Sequence, residues 1–274
     1  MDLAGVFVWM QYREKSSGAS NMQGFFLHDL KRSFLNRGFF AGLLIVTLIL
    51  VPAAFHAPLN RSRSSYFIMM EVFAASGFTP FAAIFPGLAY ASVFCEEYNS
   101  GYLKMIYARM LPRKFALTRI ITVALSGGTM LAIPFIIVLS IAYCFGIPGI
   151  PTGSDQGLMA GTALVFYIEN YGEWYVFLWK VVLGFLFGCI WALAGLAFAV
   201  WLPNKYVALI APFVLYEAMW LALGKIPALN PIYLMRGDDL DNYPLSGFME
   251  CLYILLASFV VMWGLKRRYR NGEG

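Results

Sequence analysis

The sequence predicts an all-α integral membrane protein with six transmembrane helices, and three observations carry that reading. Sixty per cent of the residues are hydrophobic and 13% are charged, about half the charged fraction of a soluble domain. Six apolar runs reach the roughly 20 residues that a span requires: 38–55, 67–95, 115–146, 176–202, 206–224 and 248–265. Basic residues collect on alternate connections between them.

Before the first run, residues 1–22 read as an amino-terminal extension, with Met22 available as an alternative start and no secretory signal in residues 1–20. Residues 23–37 then place Phe25, Phe26, Leu30 and Phe34 at helical spacing, with Asp29, Lys31, Arg32 and Arg37 between them. This pattern predicts an amphipathic helix on the inner leaflet.

Fifteen Lys and Arg residues fall on one side of the predicted topology, in the amino-terminal segment, the second and fourth connections and the tail 266–274; five fall elsewhere. The positive-inside rule puts both termini in the cytoplasm of a cell membrane, with a bacterial plasma membrane as the expected setting. The same placement accounts for the net charge of +5 without nucleic acid.

On the opposite side, residues 147–175 carry no Lys or Arg and lead into an aromatic belt from Tyr171 to Trp179. Connection 225–247, with Pro227, Pro231 and Pro244, opens on an apolar stretch suited to an external re-entrant element before the last span. Asn60-Arg61-Ser62 matches a glycosylation sequon, a pattern frequent by chance.

The connection after the second run is unlike its surroundings. Glu96 and Glu97 precede Gly101; Leu103, Ile106, Tyr107 and Met110 follow at i, i+3, i+4 and i+7, one face of a short helix. Pro112 ends it, and Arg113 and Lys114 stand where the chain re-enters the membrane. Two turns are too few for a helix alone in water, so the apolar face needs a receiving surface, either lipid or a partner's groove.

The run Glu97-x-x-x-Gly101-Tyr-Leu-Lys-x-Ile-x-x-Arg-x-x-Pro112-Arg-Lys, set between the second and third of six spans, resembles the coupling segment of type-2 ABC exporter permeases. The resemblance covers nearly the whole chain in layout, and residues 96–119 in detail. It departs from the family at Tyr102, often Thr there, and at Arg119, where the pattern has Lys. It implies that Glu97, Gly101, Leu103, Ile106, Tyr107 and Met110 form a cytoplasmic coupling helix that meets a separate ABC ATPase subunit, present in two copies. A second permease subunit, identical or related, completes the assembly. ATP and Mg would belong to the ATPase; this chain carries no cofactor of its own and no G-x-x-x-x-G-K-[ST] loop. Export of a peptide, antibiotic or lipid-like substrate is the implied activity.

The remaining polar residues take their expected roles from predicted depth. Glu217, twelve residues past Lys205, falls roughly 18 Å into the bilayer, where pathway lining and a structural pair satisfy the same demand. Glu71 and Glu250 sit near span ends, where solvation at the interface is expected, and Lys180 is placed to snorkel outward. His28 and His56 have no second ligand at metal spacing. The four cysteines have no CxxC spacing and read as small apolar residues. Gly184-x-x-x-Gly188, with Ala192 and Gly195, offers a close-packing stripe within the chain. Pro80, Pro86, Pro134 and Pro212 predict kinks.

Three rivals to the permease remain at this point. An intramembrane hydrolase lacks HExxH, G-x-S-x-G and any His in a predicted span core. An ion-coupled carrier would be favoured by several intramembrane charges and an internal repeat. A membrane sensor or immunity protein shares the architecture and differs in needing no ATP turnover.

Overall fold

A computed structural model describes residues 24–56, 64–147, 163–237 and 242–271. The extension 1–22, the sequon, Asp155, the acidic run 238–241 and the final three residues lie outside the described residues, as do the side chains of Glu71 and Arg109.

Every named element is helical, and the only extended pairing among the described residues is a single bridge between Ser64 and Ile147. The chain runs through α1 (24–34), α2 (Arg37–His56), α3 (Ser65–Ala75), α4 (Phe78–Phe81), α5 (Ile84–Tyr90), α6 (Val93–Asn99), α7 (Tyr102–Arg109) and α8 (Pro112–Phe145). It continues through α9 (Ala163–Tyr171), α10 (Glu173–Trp201), α11 (Lys205–Ala222), a 3-10 turn (Pro227–Leu229), α12 (Pro231–Arg236) and α13 (Tyr243–Arg270). Five of these, α2, α8, α10, α11 and α13, are long and apolar enough to cross a membrane, which makes the chain a multi-pass membrane protein.

The expected second span, 67–95, is not one helix. It is broken into α3 to α6, because Gly77 takes φ 65° after α3, and Pro80 and Pro86 follow within ten residues. Breaks of this kind free backbone carbonyls that must be satisfied inside the protein. Thr79 Oγ1 donates to the Phe73 carbonyl at 3.1 Å, Tyr216 Oη to the Thr79 carbonyl at 2.8 Å, and Asn36 Nδ2 to the Ala89 carbonyl at 3.0 Å. The broken segment lies antiparallel to α8: Ser65 N–H meets the Ile147 carbonyl at one end, and Glu97 meets Arg119 at the other. By contrast, Pro134 and Pro212 lie inside uninterrupted helices.

Helices α8 and α10 form the most extensive pairing, through the predicted glycine stripe. A Cβ on Gly188 would stand 2.5 Å from the Gly127 carbonyl oxygen, and one on Gly127 would stand 2.3 Å from the Ala192 Cβ. The two backbones therefore touch within one chain, as the spacing predicted. Helix α13 packs on α10 and runs past the predicted span end to Arg270, with Arg268 bonded to the Val200 and Trp201 carbonyls. Short α12 is buried against α10, and Tyr253 Oη donates to the Leu229 carbonyl at 2.8 Å.

Candidate functional site

The two ends of the bundle differ sharply. At the basic end, α1, the α6–α7 segment and the starts of α2 and α8 meet the ends of α10 and α13. Gly101, at φ 72°, turns the chain between α6 and α7, a conformation that glycine adopts without a Cβ penalty.

Arg119 is the centre of this end. It is 1% exposed, with Nη2 at 2.5 Å from Glu97 Oε2 and Nη1 at 3.2 Å from Asp29 Oδ1. Arg32 Nη1 reaches Glu97 Oε1 at 2.6 Å, and Tyr90 Oη donates to Asp29 Oδ1 at 2.6 Å. The Arg119 guanidinium also stacks over the Tyr90 and Phe115 rings, at 5.0 and 5.4 Å. Buried Asp29, Glu97 and Arg119 thus compensate one another, with half-exposed Arg32 closing the network toward solvent, and such pairing is what makes buried charge tolerable. The network ties α1, α5, α6 and α8 together.

Two expectations are corrected here. Helix α1 was to lie on lipid with Asp29 on its polar side; instead Asp29 and Ser33 face inward and Phe25 packs on Phe115 at 6.1 Å between ring centroids. The α7 face was to be received by lipid or by a partner; Leu103 and Ile106 are buried inside the chain itself. Tyr107 sets its edge against Phe115 and Tyr269, both at 5.5 Å, and Met110 packs on the same cluster. Burial pushes the Tyr107 hydroxyl up to about 12, against the opposing pull of Arg119 and Arg268. What α7 presents outward is Tyr102, Lys104 and Met105.

Midway along the bundle, α10, α11, α12 and α13 line a half-open cavity of ≈ 520 Å³. Its wall is mostly apolar; the polar groups among its residues are fully buried Glu250, the indole N–H groups of Trp191 and Trp201, and the Tyr253 hydroxyl, and neither Glu250 oxygen nor either indole N–H has a hydrogen-bond partner among the described residues. Solvation at the interface, expected for Glu250, is therefore overturned. Helix α13 begins at Tyr243, so seven residues carry the carboxyl about 10 Å inward. Glu217 lies apart from this cavity, partly buried, with Oε1 enclosed and unpartnered among the described residues. Lys180 does not snorkel: it is buried, donates to the Arg236 carbonyl and stands 5.8 Å over the Tyr243 ring.

The structure thus brings Glu97, Leu103, Ile106, Tyr107 and Met110 into one cluster behind Gly101 and leaves Glu217 elsewhere. Asp29 and Glu250 were missed as interior groups, although helical spacing carried a signal for each. Asp29 falls four residues after Phe25 and four before Ser33; Glu250 shares a stripe with Tyr243, Ala257 and Val261. No group of three His, Cys, Asp or Glu placed to hold a metal occurs among the described residues. Comparison of the chain with family models, curated proteins and solved structures gives no match.

Proposed function

We propose that the chain is the membrane-spanning subunit of an ATP-driven exporter of the type-2 ABC kind, coupling hydrolysis on separate ATPase subunits to movement of a substrate across a cell membrane. The observation that carries the reading is the Arg119 network. It binds the short helix α7, through α6, to α1 and to the start of α8. A partner pressing on α7 would therefore move several membrane elements as a unit, which is what coupling requires; a two-turn helix held by its own turn alone would absorb the push. In this reading the broken segment 65–99 is the sixth traverse, and α12 with its preceding turn is the external re-entrant element. Both termini then lie in the cytoplasm, and two such chains stand over two ATPases. Only tighter binding of ATP-joined ATPases to one of two membrane states could drive the switch.

The test is gentle purification from the native membrane, identification of stoichiometric companions, and assay of ATP hydrolysis with and without the chain. A companion bearing a P-loop whose turnover this chain alters supports the reading. A homogeneous preparation without an ATPase after crosslinking overturns it. A second reading, a carrier working without ATP, is favoured by one observation: Glu250 is fully buried, and Glu217 has one enclosed oxygen, without hydrogen-bond partners for these groups among the described residues. Proton- or sodium-driven uptake into proteoliposomes lacking ATP distinguishes it.

A further inference from the structure

We infer that the cavity between α10, α11 and α13 is a binding site for a hydrophobic amine: one cationic nitrogen on an apolar body. The volume of ≈ 520 Å³ lies within the usual range for small-molecule sites. Five aromatic side chains, Phe187, Trp191, Phe198, Trp201 and Tyr253, contribute to a wall with almost no polar surface. Into that wall is set one carboxyl, Glu250, fully buried and unpartnered at both oxygens.

A carboxyl in such surroundings needs a proton, a cation or a hydrogen-bond donor from outside the chain. A water shared with the unpartnered Trp191 or Trp201 indole N–H would hydrate the carboxyl but would leave the apolar wall unmatched. Bilayer acyl chains match the wall and leave the carboxyl unanswered. A protonated amine answers both, with its N–H toward Glu250, its charge near aromatic faces and its hydrocarbon against Ala194, Leu234 and Ala257. Glu217 does not line this space, so the site has one acidic anchor. The inference does not depend on a partner ATPase.

Binding of tritiated N,N-dimethyldodecylamine to the purified chain in nanodiscs, with empty nanodiscs subtracted, tests it. Saturable binding is expected at one amine per chain, weakened about tenfold or more by Glu250→Gln, as loss of a buried charge-assisted hydrogen bond implies. Ala257→Trp, which fills the cavity, is expected to abolish it, and dodecanol is expected to compete poorly. In the unmutated chain, labelling of Glu250 by dicyclohexylcarbodiimide, mapped by peptide mass spectrometry, is expected to fall with the amine and not with dodecanol; this arm needs no variant to fold. Equal affinity in Glu250→Gln, or binding no greater than partition into empty nanodiscs, overturns the site. So does native mass spectrometry in which a second copy closes this face and no amine is retained.

Discussion

Arg119 and Glu97 stand 22 positions apart in the chain and meet at 2.5 Å, with both side chains withdrawn from solvent. Removing the arginine leaves Glu97 with Arg32 alone and Asp29 with the Tyr90 hydroxyl alone. Arg119→Met is therefore expected to destabilise the chain by about 3–5 kcal/mol, the usual consequence of stranding a buried charge. Arg119→Lys is expected to fall between, because an ammonium cannot span both carboxylates as a planar fork does. Thermal melts followed by fluorescence-detected size exclusion give the order. In the double variant Arg119→Met with Glu97→Gln, the combined loss is expected to be less than the sum of the single losses.

Much of this arrangement was legible in the sequence, and the illegible parts have a common cause. The glycine stripe of α10 read correctly because close approach of two backbones demands small residues wherever it occurs. The break in segment 65–99 was signalled only as kinks. Apolar composition runs on through Gly77, Pro80 and Pro86, and satisfaction of the freed carbonyls comes from Asn36 and Tyr216, far away in sequence. Asp29 reads as the polar side of an interfacial helix, and Lys180 and Glu250 read as interfacial because a charge near a span end is cheapest there. Their burial depends on tertiary neighbours: Arg119 for Asp29, the Arg236 carbonyl for Lys180, and the cavity wall for Glu250.

The Gly127–Gly188 contact leaves no room for a side chain on either helix. Gly188→Leu is expected to force α8 and α10 apart and to lose most of the monodisperse protein, since overpacking at a backbone contact cannot be relieved by rotamer changes. Gly24→Ala, where an added Cβ meets nothing within 4 Å, is the matched control and is expected to behave as the parent. Similar profiles for the two variants on size exclusion would contradict the packing described.

Tyr216 provides a smaller, sharper case. Its hydroxyl donates to the Thr79 carbonyl in the broken segment, while its ring lies edge-on to Phe187 and Trp191. Tyr216→Phe keeps the ring packing and leaves the carbonyl with the longer bond from the Ala82 N–H, 3.4 Å, at an expected cost of about 0.5–1.5 kcal/mol. A melting temperature equal to the parent's would show that the Ala82 N–H alone satisfies the Thr79 carbonyl.

Tyr107 makes stability depend on alkaline pH. Burial raises its hydroxyl from 10.0 to about 12, so the folded state favours the neutral phenol. That contribution is complete below the unfolded value of about 10 and is lost as pH rises through the folded value. Tyr107→Phe keeps the ring against Phe115 and Tyr269 and cannot ionise. The difference in melting temperature between parent and variant is expected to be constant to about pH 10 and then to move in the variant's favour. A difference that stays constant through higher pH would place the hydroxyl in water.

The inward turn of α7 decides which substitutions can test coupling. Leu103 is 1% exposed and belongs to the cluster around Phe115, so Leu103→Asp buries an unpaired carboxylate and is expected to lose folded protein, whatever the helix does for a partner. The informative positions are on the outward face. Lys104→Glu with Met105→Asp changes two exposed side chains, where substitutions ordinarily shift stability by about 0.5 kcal/mol or less. With a companion ATPase in hand, that double variant is expected to retain the parent's melting temperature and to weaken association or separate ATP turnover from transport. Unaltered association and coupling at parent stability would leave α7 as an internal brace between α6 and α8, and the partner's contact would have to be sought on another surface of the basic end.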